Sequence, residues 1–301
     1  MTAPPDILSQ LPQVRPLPAG PLAGFGHCLD LSEANLQRVE DKWFDVEPPG
    51  CAVVHRFGPG VYIRELSVKA GTLLVGHFHR DAHLNILLQG SLTMLRADGT
   101  ASYLKAPATF LGSPGRKVAI VHEDMIFSNV YATTETDVRT LEQTLLVKSA
   151  VWGKHLAAQV ERAAADHQAD REDYPKALAE LGFTHEQARA ISENTADQVA
   201  SPLGNCKIVV SPSPIEGLGI FATCDIAAGE DIAVARLGAK RTPAGRYANH
   251  SATPTARVTC RGEDLIFVAV QNLKGCRGGL PGDEITVDYR QAHRKGQQLC
   301  Q

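Results

Sequence analysis

The sequence predicts a mainly β protein with a helical connector, and three observations carry that reading. Short segments of alternating apolar and polar residues fill residues 52–147, helical spacing takes over after Lys148, and strand-like text returns from Cys206. In the first stretch, segments such as Val61-Tyr62-Ile63-Arg64-Glu65-Leu66 and Leu92-Thr93-Met94-Leu95 are separated by Gly58-Pro59-Gly60, Asp98-Gly99 and Ser113-Pro114-Gly115. Many short strands with regularly spaced turns indicate a sandwich or barrel.

Taken in order, four regions follow. Residues 1–50 form a lead-in whose Pro4, Pro5, Pro12, Pro16, Pro18 and Pro21 favour an extended arm, since few large apolar side chains are there to offset the entropy of ordering it. Residues 51–147 make the β-barrel. Residues 148–203 are the connector: Leu156, Val160, Ala163 and Ala164 recur at helical spacing, Pro175 fits an early helical turn, and Gly182 supplies a stop. Thr184-His185-Glu186-Gln187 then reads as a capping box opening a helix through about Ser192. Residues 204–301 form a second, compact β unit beginning with Ile208-Val209-Val210.

Composition narrows the function classes. With 301 residues and a hydrophobic fraction of 44%, the chain can bury two cores. Its longest apolar runs, such as Leu265 to Val270, fall far short of the ~20 residues of a membrane span. No basic start followed by an apolar stretch opens the chain. The seven cysteines are odd in number, dispersed and free of any C-x-x-C pair, which argues against a disulfide framework or zinc cluster and for a cytoplasmic protein with reduced thiols. Residues 204–301 carry 12 Lys and Arg against 9 Asp and Glu, a balance of +3, while residues 1–203 stand at −6. Neither is the strong basic field of a nucleic-acid binder, so neither nucleic acid nor membrane is an expected partner.

Three signals in the last third carry the sharpest reading. Glu216-Gly217-Leu218-Gly219-Ile220-Phe221 comes first, then Arg246-Tyr247-Ala248-Asn249-His250-Ser251 with Pro254 after it, then Gly282-Asp283-Glu284-Ile285-Thr286-Val287-Asp288-Tyr289. In this order they resemble the G-x-G, R-F/Y-x-N-H-S-x-x-P and G-E/D-E-hydrophobic-T-x-D-Y motifs of the SET-domain protein-lysine methyltransferases. The resemblance implies a compact SET-type β fold in which the Asn-His segment is threaded beside the C-terminal strand. It also implies S-adenosylmethionine as cofactor and a protein with a target lysine as partner. Carried over by position, Gly217, Leu218, Gly219, Arg246, Asn249, His250 and Tyr289 would contact the cofactor. Asn249 would hydrogen-bond its amino group, Gly217 and Gly219 would admit backbone amides to it, and His250 would serve mainly by packing. Tyr289 would be the catalytic tyrosine that orients the target amine. Tyr247, where the family often carries Phe, either packs or adds a second hydroxyl to the channel.

Two departures shape the expectation. Only sixteen residues, from Ile232-Ala233 to Tyr247, separate the first motif's strand from the Asn-His segment, where the family usually inserts a helical module. After Tyr289 the remaining residues cannot build a zinc-binding cysteine cluster, so another segment must close the channel.

In the barrel region, Gly71, His77, His79, His83 and Gly90 stand at the spacing of the first cupin motif, with His83 in the usual Glu position. The region therefore resembles a cupin-like β-barrel, and such barrels pair through their sheets, so a homodimer is expected. An H-x-H in a strand places both imidazoles on one face, and a third four residues later can join them on a divalent metal. The competing reading is a metal-free barrel whose histidines are hydrogen-bonded. Where a fourth ligand is expected stands Val118, and His122 lies four strand positions beyond it. Two alternatives to methyl transfer follow: a non-catalytic assembly protein using both folds as interaction modules, or a metal-dependent small-molecule enzyme housed in the barrel.

Overall fold

The structure is a computed structural model, and it describes residues 32, 35, 36, 49–95 and 101–298. The turn expected at Asp98-Gly99 lies outside the described residues, as does the Pro-rich arm apart from Ser32, Asn35, Leu36, Pro49 and Gly50.

The chain opens with eight strands: β1 (Cys51–Gly58), β2 (Val61–Val68), β3 (Leu73–Val75), β4 (Phe78–His79), β5 (His83–Leu95), β6 (Ala101–Lys105), β7 (Ala108–Gly112) and β8 (Val118–Ala132). Helices and one short strand follow: α1 (Val138–Leu145), β9 (Leu146–Val147), α2 (Ala150–Ala163), α3 (Gln168–Leu181) and α4 (His185–Glu193). The C-terminal unit holds β10 (Gly204–Cys206), β11 (Ile208–Pro212), β12 (Leu218–Ala222), β13 (Asp231–Leu237), β14 (Lys240–Arg241), α5 (Pro243–Tyr247), β15 (Asn249–His250), β16 (Ala256–Arg261), β17 (Asp264–Ala269), β18 (Glu284–Val287) and α6 (Tyr289–Gln298). The mainly β class with a helical connector is thus observed. No helix among the described residues is long and apolar enough to cross a membrane.

The barrel sheet runs β10-β1-β2-β8-β5-β6, with β3 also on β8 and β7 on β5. Its interior is a cluster of Val68, Leu87, Leu92, Val121, Met125 and Phe127, placed inward by strand alternation. β10 joins this sheet from the far side of the connector, pairing His55 with Cys206 and Phe57 with Gly204. Residues 204–206, read from sequence as the start of the C-terminal unit, therefore extend the barrel.

Two expectations need correction. Residues 138–145 were expected to be β and form α1, because the Asp137 carboxylate caps the Thr140 N–H and Val138 and Leu141 fall on one buried face. Pro175 lies inside α3, seven residues after its start, so the helix forgoes one N–H bond there and depends on its docking to the C-terminal unit. Glu123-Asp124 lies within β8 at an irregularity in its pairing with β5, where Asp124 Oδ2 meets Lys69 Nζ at 2.6 Å. The capping box of α4 and the left-handed C-cap at Gly182, with φ 76°, are present as expected.

The C-terminal unit contains two four-stranded sheets, β11-β12-β18-β15 and β14-β13-β17-β16. β15 lies parallel to β18, with Asn249 beside Thr286 and His250 beside Val287. Their core includes Ile220, Ile226, Phe267 and Ile285, and the same cluster takes in Phe57, Tyr62 and Tyr131 from the barrel strands. One apolar core is therefore shared between the two units. Backbone bonds seal the seam: Val53 N–H donates to Thr223 O at 2.8 Å and Cys51 N–H to Cys276 O at 3.1 Å.

Candidate functional site

The parallel placement of β15 on β18 brings the second and third motifs together. Tyr289 begins α6 directly beyond β18, and its backbone N–H donates to His250 Nδ1 at 3.2 Å. With Nδ1 accepting, the ring proton sits on Nε2, which donates to Asp173 Oδ2 of α3 at 3.0 Å. Asp173 also takes Arg290 Nη1 at 2.7 Å, and the Arg290 guanidinium, followed by His250, holds its carboxyl down to about 2. Arg290 reaches Glu180 as well, at 2.6 Å. Helix α3 is thereby pinned over the Asn-His segment, and the Tyr174 ring stands edge-on to Tyr289 with centroids 6.0 Å apart. Asp173, Tyr174 and Arg290 were not singled out in the sequence; the acids at 170 and 173, one turn apart on a connector helix, were the available signal.

The Tyr289 hydroxyl donates to Ala248 O at 3.0 Å, and burial pushes its pKa far above the ordinary phenol value. It stays protonated at neutral pH. Tyr289 lines a cavity of about 770 Å³ together with Leu178, Phe183, Ala248, Val258, Phe267 and Val287. Arg236, Arg241 and Arg246 also reach this wall, and no carboxylate does among the described residues.

A second cluster joins the first motif to the others. Asn249 Nδ2 lies 2.9 Å from Glu284 Oε1, 3.0 Å from Ser213 Oγ and 3.2 Å from Leu218 O. Glu284 is buried, and burial raises its carboxyl above the usual range although Asn249 and Ser213 donate to it. Gly219 faces this carboxylate: a Cβ there would run into Glu284 Oε1. A side chain at Gly219 would displace this carboxylate. Gly217 has φ 50°, the left-handed region that favours glycine.

The remaining motif residues diverge. Arg246 lies over the Tyr247 ring at 4.9 Å and donates to Gln198 Oε1 at 2.6 Å. Tyr247 packs against the shared core and borders a different cavity, with Thr242 and Pro243, away from Tyr289. Of its two sequence readings, packing is the one its surroundings match. Leu218 faces the seam between the units.

The three barrel histidines do not assemble. His79 and His83 stack with ring centroids 4.4 Å apart, and His79 Nδ1 hydrogen-bonds the Tyr131 hydroxyl at 2.6 Å. His83 Nδ1 is held on Asp81 O at 3.0 Å, and its Nε2 is buried without a partner among the described residues. His77 instead stands edge-on to Trp152 at 6.0 Å. The cause is a long-range pairing: β4 leaves the barrel ladder to pair with β9, so His77 precedes a two-residue strand and the expected H-x-H face is not built. No group of three or more His, Cys, Asp or Glu among the described residues is arranged to hold a metal ion, and the donor set does not fit one. His122 bonds Thr93 Oγ1 at 2.7 Å, remote from that role.

No protein-family model matches this sequence, and comparison with curated proteins finds no relative. Among solved structures, part of the chain is similar to KdgF from Halomonas sp., at 14% identity over 29% of this chain and 83% of that one, with a TM-score of 0.25. A cupin domain protein from Bordetella pertussis shares 14% identity over 30% of this chain and 99% of its own, with a TM-score of 0.25. A cupin-2 domain protein from Shewanella frigidimarina shares 11% over 31% and 91%, with a TM-score of 0.24.

Proposed function

We propose that this protein is an S-adenosylmethionine-dependent methyltransferase acting on a protein lysine side chain, with a compact SET-type unit carried on a cupin-like barrel. The observation that supports this reading most is the insertion of β15 beside β18, which sets Asn249 beside Thr286 and brings the Tyr289 N–H onto His250 Nδ1 and the Tyr289 hydroxyl onto Ala248 O. When bound, the cofactor supplies an electrophilic methyl group. The chain's own work is to align a neutral amine with that group and to exclude water. Tyr289, protonated and fixed by Ala248 O, is suited to orient an amine rather than to act as a strong base. The apolar wall of Leu178, Phe267 and Val287 desolvates the amine, which disfavours its protonated form. Asn249 Nδ2 is anchored by Glu284 and Ser213, which turns Oδ1 towards a ligand ammonium. Helix α3 closes one side of this wall through Leu178 and Leu181.

One observation favours a second reading, a non-catalytic interaction module. The Glu284 carboxylate fills the space at Gly219 and crowds the Asn249 amide, leaving that cluster satisfied without a ligand. Calorimetric titration with S-adenosylmethionine separates the two. Methyl transfer requires saturable binding by the wild type, at least tenfold weaker in Asn249→Ala and retained in Tyr289→Phe. A wild type that does not bind the cofactor overturns the methyltransferase reading.

A further inference from the structure

Between the barrel and the C-terminal unit lies a cavity of about 470 Å³, separate from the Tyr289 wall. Its barrel side carries His55 and Arg64, which sit directly opposite each other across β1 and β2. His55 is fully buried and Arg64 half-buried, and the buried atoms His55 Nε2 and Arg64 Nε have no hydrogen-bond partner among the described residues. A buried donor left without an acceptor costs free energy, and in a native fold such an atom calls for an acceptor. Glu142, the one carboxylate lining the cavity among the described residues, is already engaged by Lys148 Nζ at 2.6 Å. Lys148 in turn lies 4.1 Å over the Trp152 ring. Arg80 and Arg139 also border the cavity, so four cations face one paired acid.

We propose that this cavity is a binding site for a small organic oxyanion, whose carboxylate or phosphate is received by Arg64 and His55 and whose body lies against Trp152. The cavity is much larger than an inorganic anion needs, and Leu146 and Leu156 give it apolar walls beyond the charged end. His77 borders both this cavity and the smaller one inside the barrel, so a bound anion stands at the junction of the two. Thr223, Cys276 and Gly279 supply the opposite wall from the C-terminal unit. A ligand there touches both units at once. The site is independent of methyl transfer, because neither Asn249 nor Tyr289 reaches it.

The test is calorimetric titration of the full chain with benzoate and with phenyl phosphate, using benzyl alcohol as the uncharged control. Saturable binding of at least one anion, no binding of the alcohol, and at least tenfold weaker binding in Arg64→Met are expected. Asn249→Ala should bind the anion as the wild type does. Which of the two anions binds more tightly separates a carboxylate ligand from a phosphate one. Should Arg64→Met fail to fold, His55→Gln provides the same comparison, with weaker binding expected. The proposal is overturned if neither anion binds the wild type, if benzyl alcohol binds as well as they do, or if the variant that folds binds with unchanged affinity.

Discussion

In the barrel and connector, His55 Nε2, Arg64 Nε, His83 Nε2 and Ser128 Oγ are buried without partners, whereas from residue 204 to 298 no buried side-chain polar atom among the described residues lacks one. The two regions face similar desolvation costs and meet them differently. In the C-terminal unit, Ser213, Asn249 and Glu284 close on one another, and His250, Asp173 and Arg290 do the same. Such networks hold a geometry before any ligand arrives. The unmet atoms of the barrel side carry no such closure and mark where something is still to be received.

The comparison breaks most visibly at the core the two regions share. Ile285 is fully buried within the cluster that also holds Phe57, Tyr62 and Tyr131. Ile285→Ala should cost about 2–5 kcal/mol, and calorimetry should show one melting transition shifted as a whole. Two transitions, with only the later one moved, would mean that the regions are independent. A smaller effect, about 1–3 kcal/mol, is expected for Gly219→Ala, whose new methyl displaces the Glu284 carboxylate from Asn249 and Ser213. In a double-mutant cycle with Glu284→Ala that penalty should largely vanish. Additive losses would show that the closed network does not constrain Gly219.

A third test is a pH slope. Burial lowers His55 to about 4, and His77 and His79 to about 3, from an ordinary imidazole value of 6.5. The unfolded chain takes up these protons as pH falls through 6.5 while the folded chain does not, so stability declines from there towards pH 4. Melting temperature measured across this range should fall with acidification, and less steeply in His55→Gln. An unchanged slope in that variant would remove His55 from the buried set.

How much of this was legible in the sequence differs by region for a physical reason. The Asn249-His250 and Glu284–Tyr289 stretches carry their information locally, in residue types whose order survives without knowledge of the packing around them. The connector's termini at Thr184 and Gly182 were equally readable, because caps are local chemistry. What failed depended on distant partners. Pro175 inside α3 is tolerated by contacts from Asp173 to His250 and Arg290, which no window of sequence contains. The H-x-H face was lost because β9, almost seventy residues away, draws β4 out of the barrel. Arg64 gave a signal that went unused: it lies between Tyr62 and Leu66 on the inward face of its strand, where a charge is out of place.

The pairing of β10 with β1 has a consequence during synthesis. Arg56 and its partner Asn205 are 149 residues apart in the chain. At typical translation rates of about 5–20 residues per second, β1 waits roughly 7–30 s on the ribosome before that neighbour is made. Through that interval the strand presents backbone donors and acceptors to whatever nascent chain lies nearby, so slowing or stalling between codons 58 and 204 should lower the yield of soluble protein more than a pause placed after them.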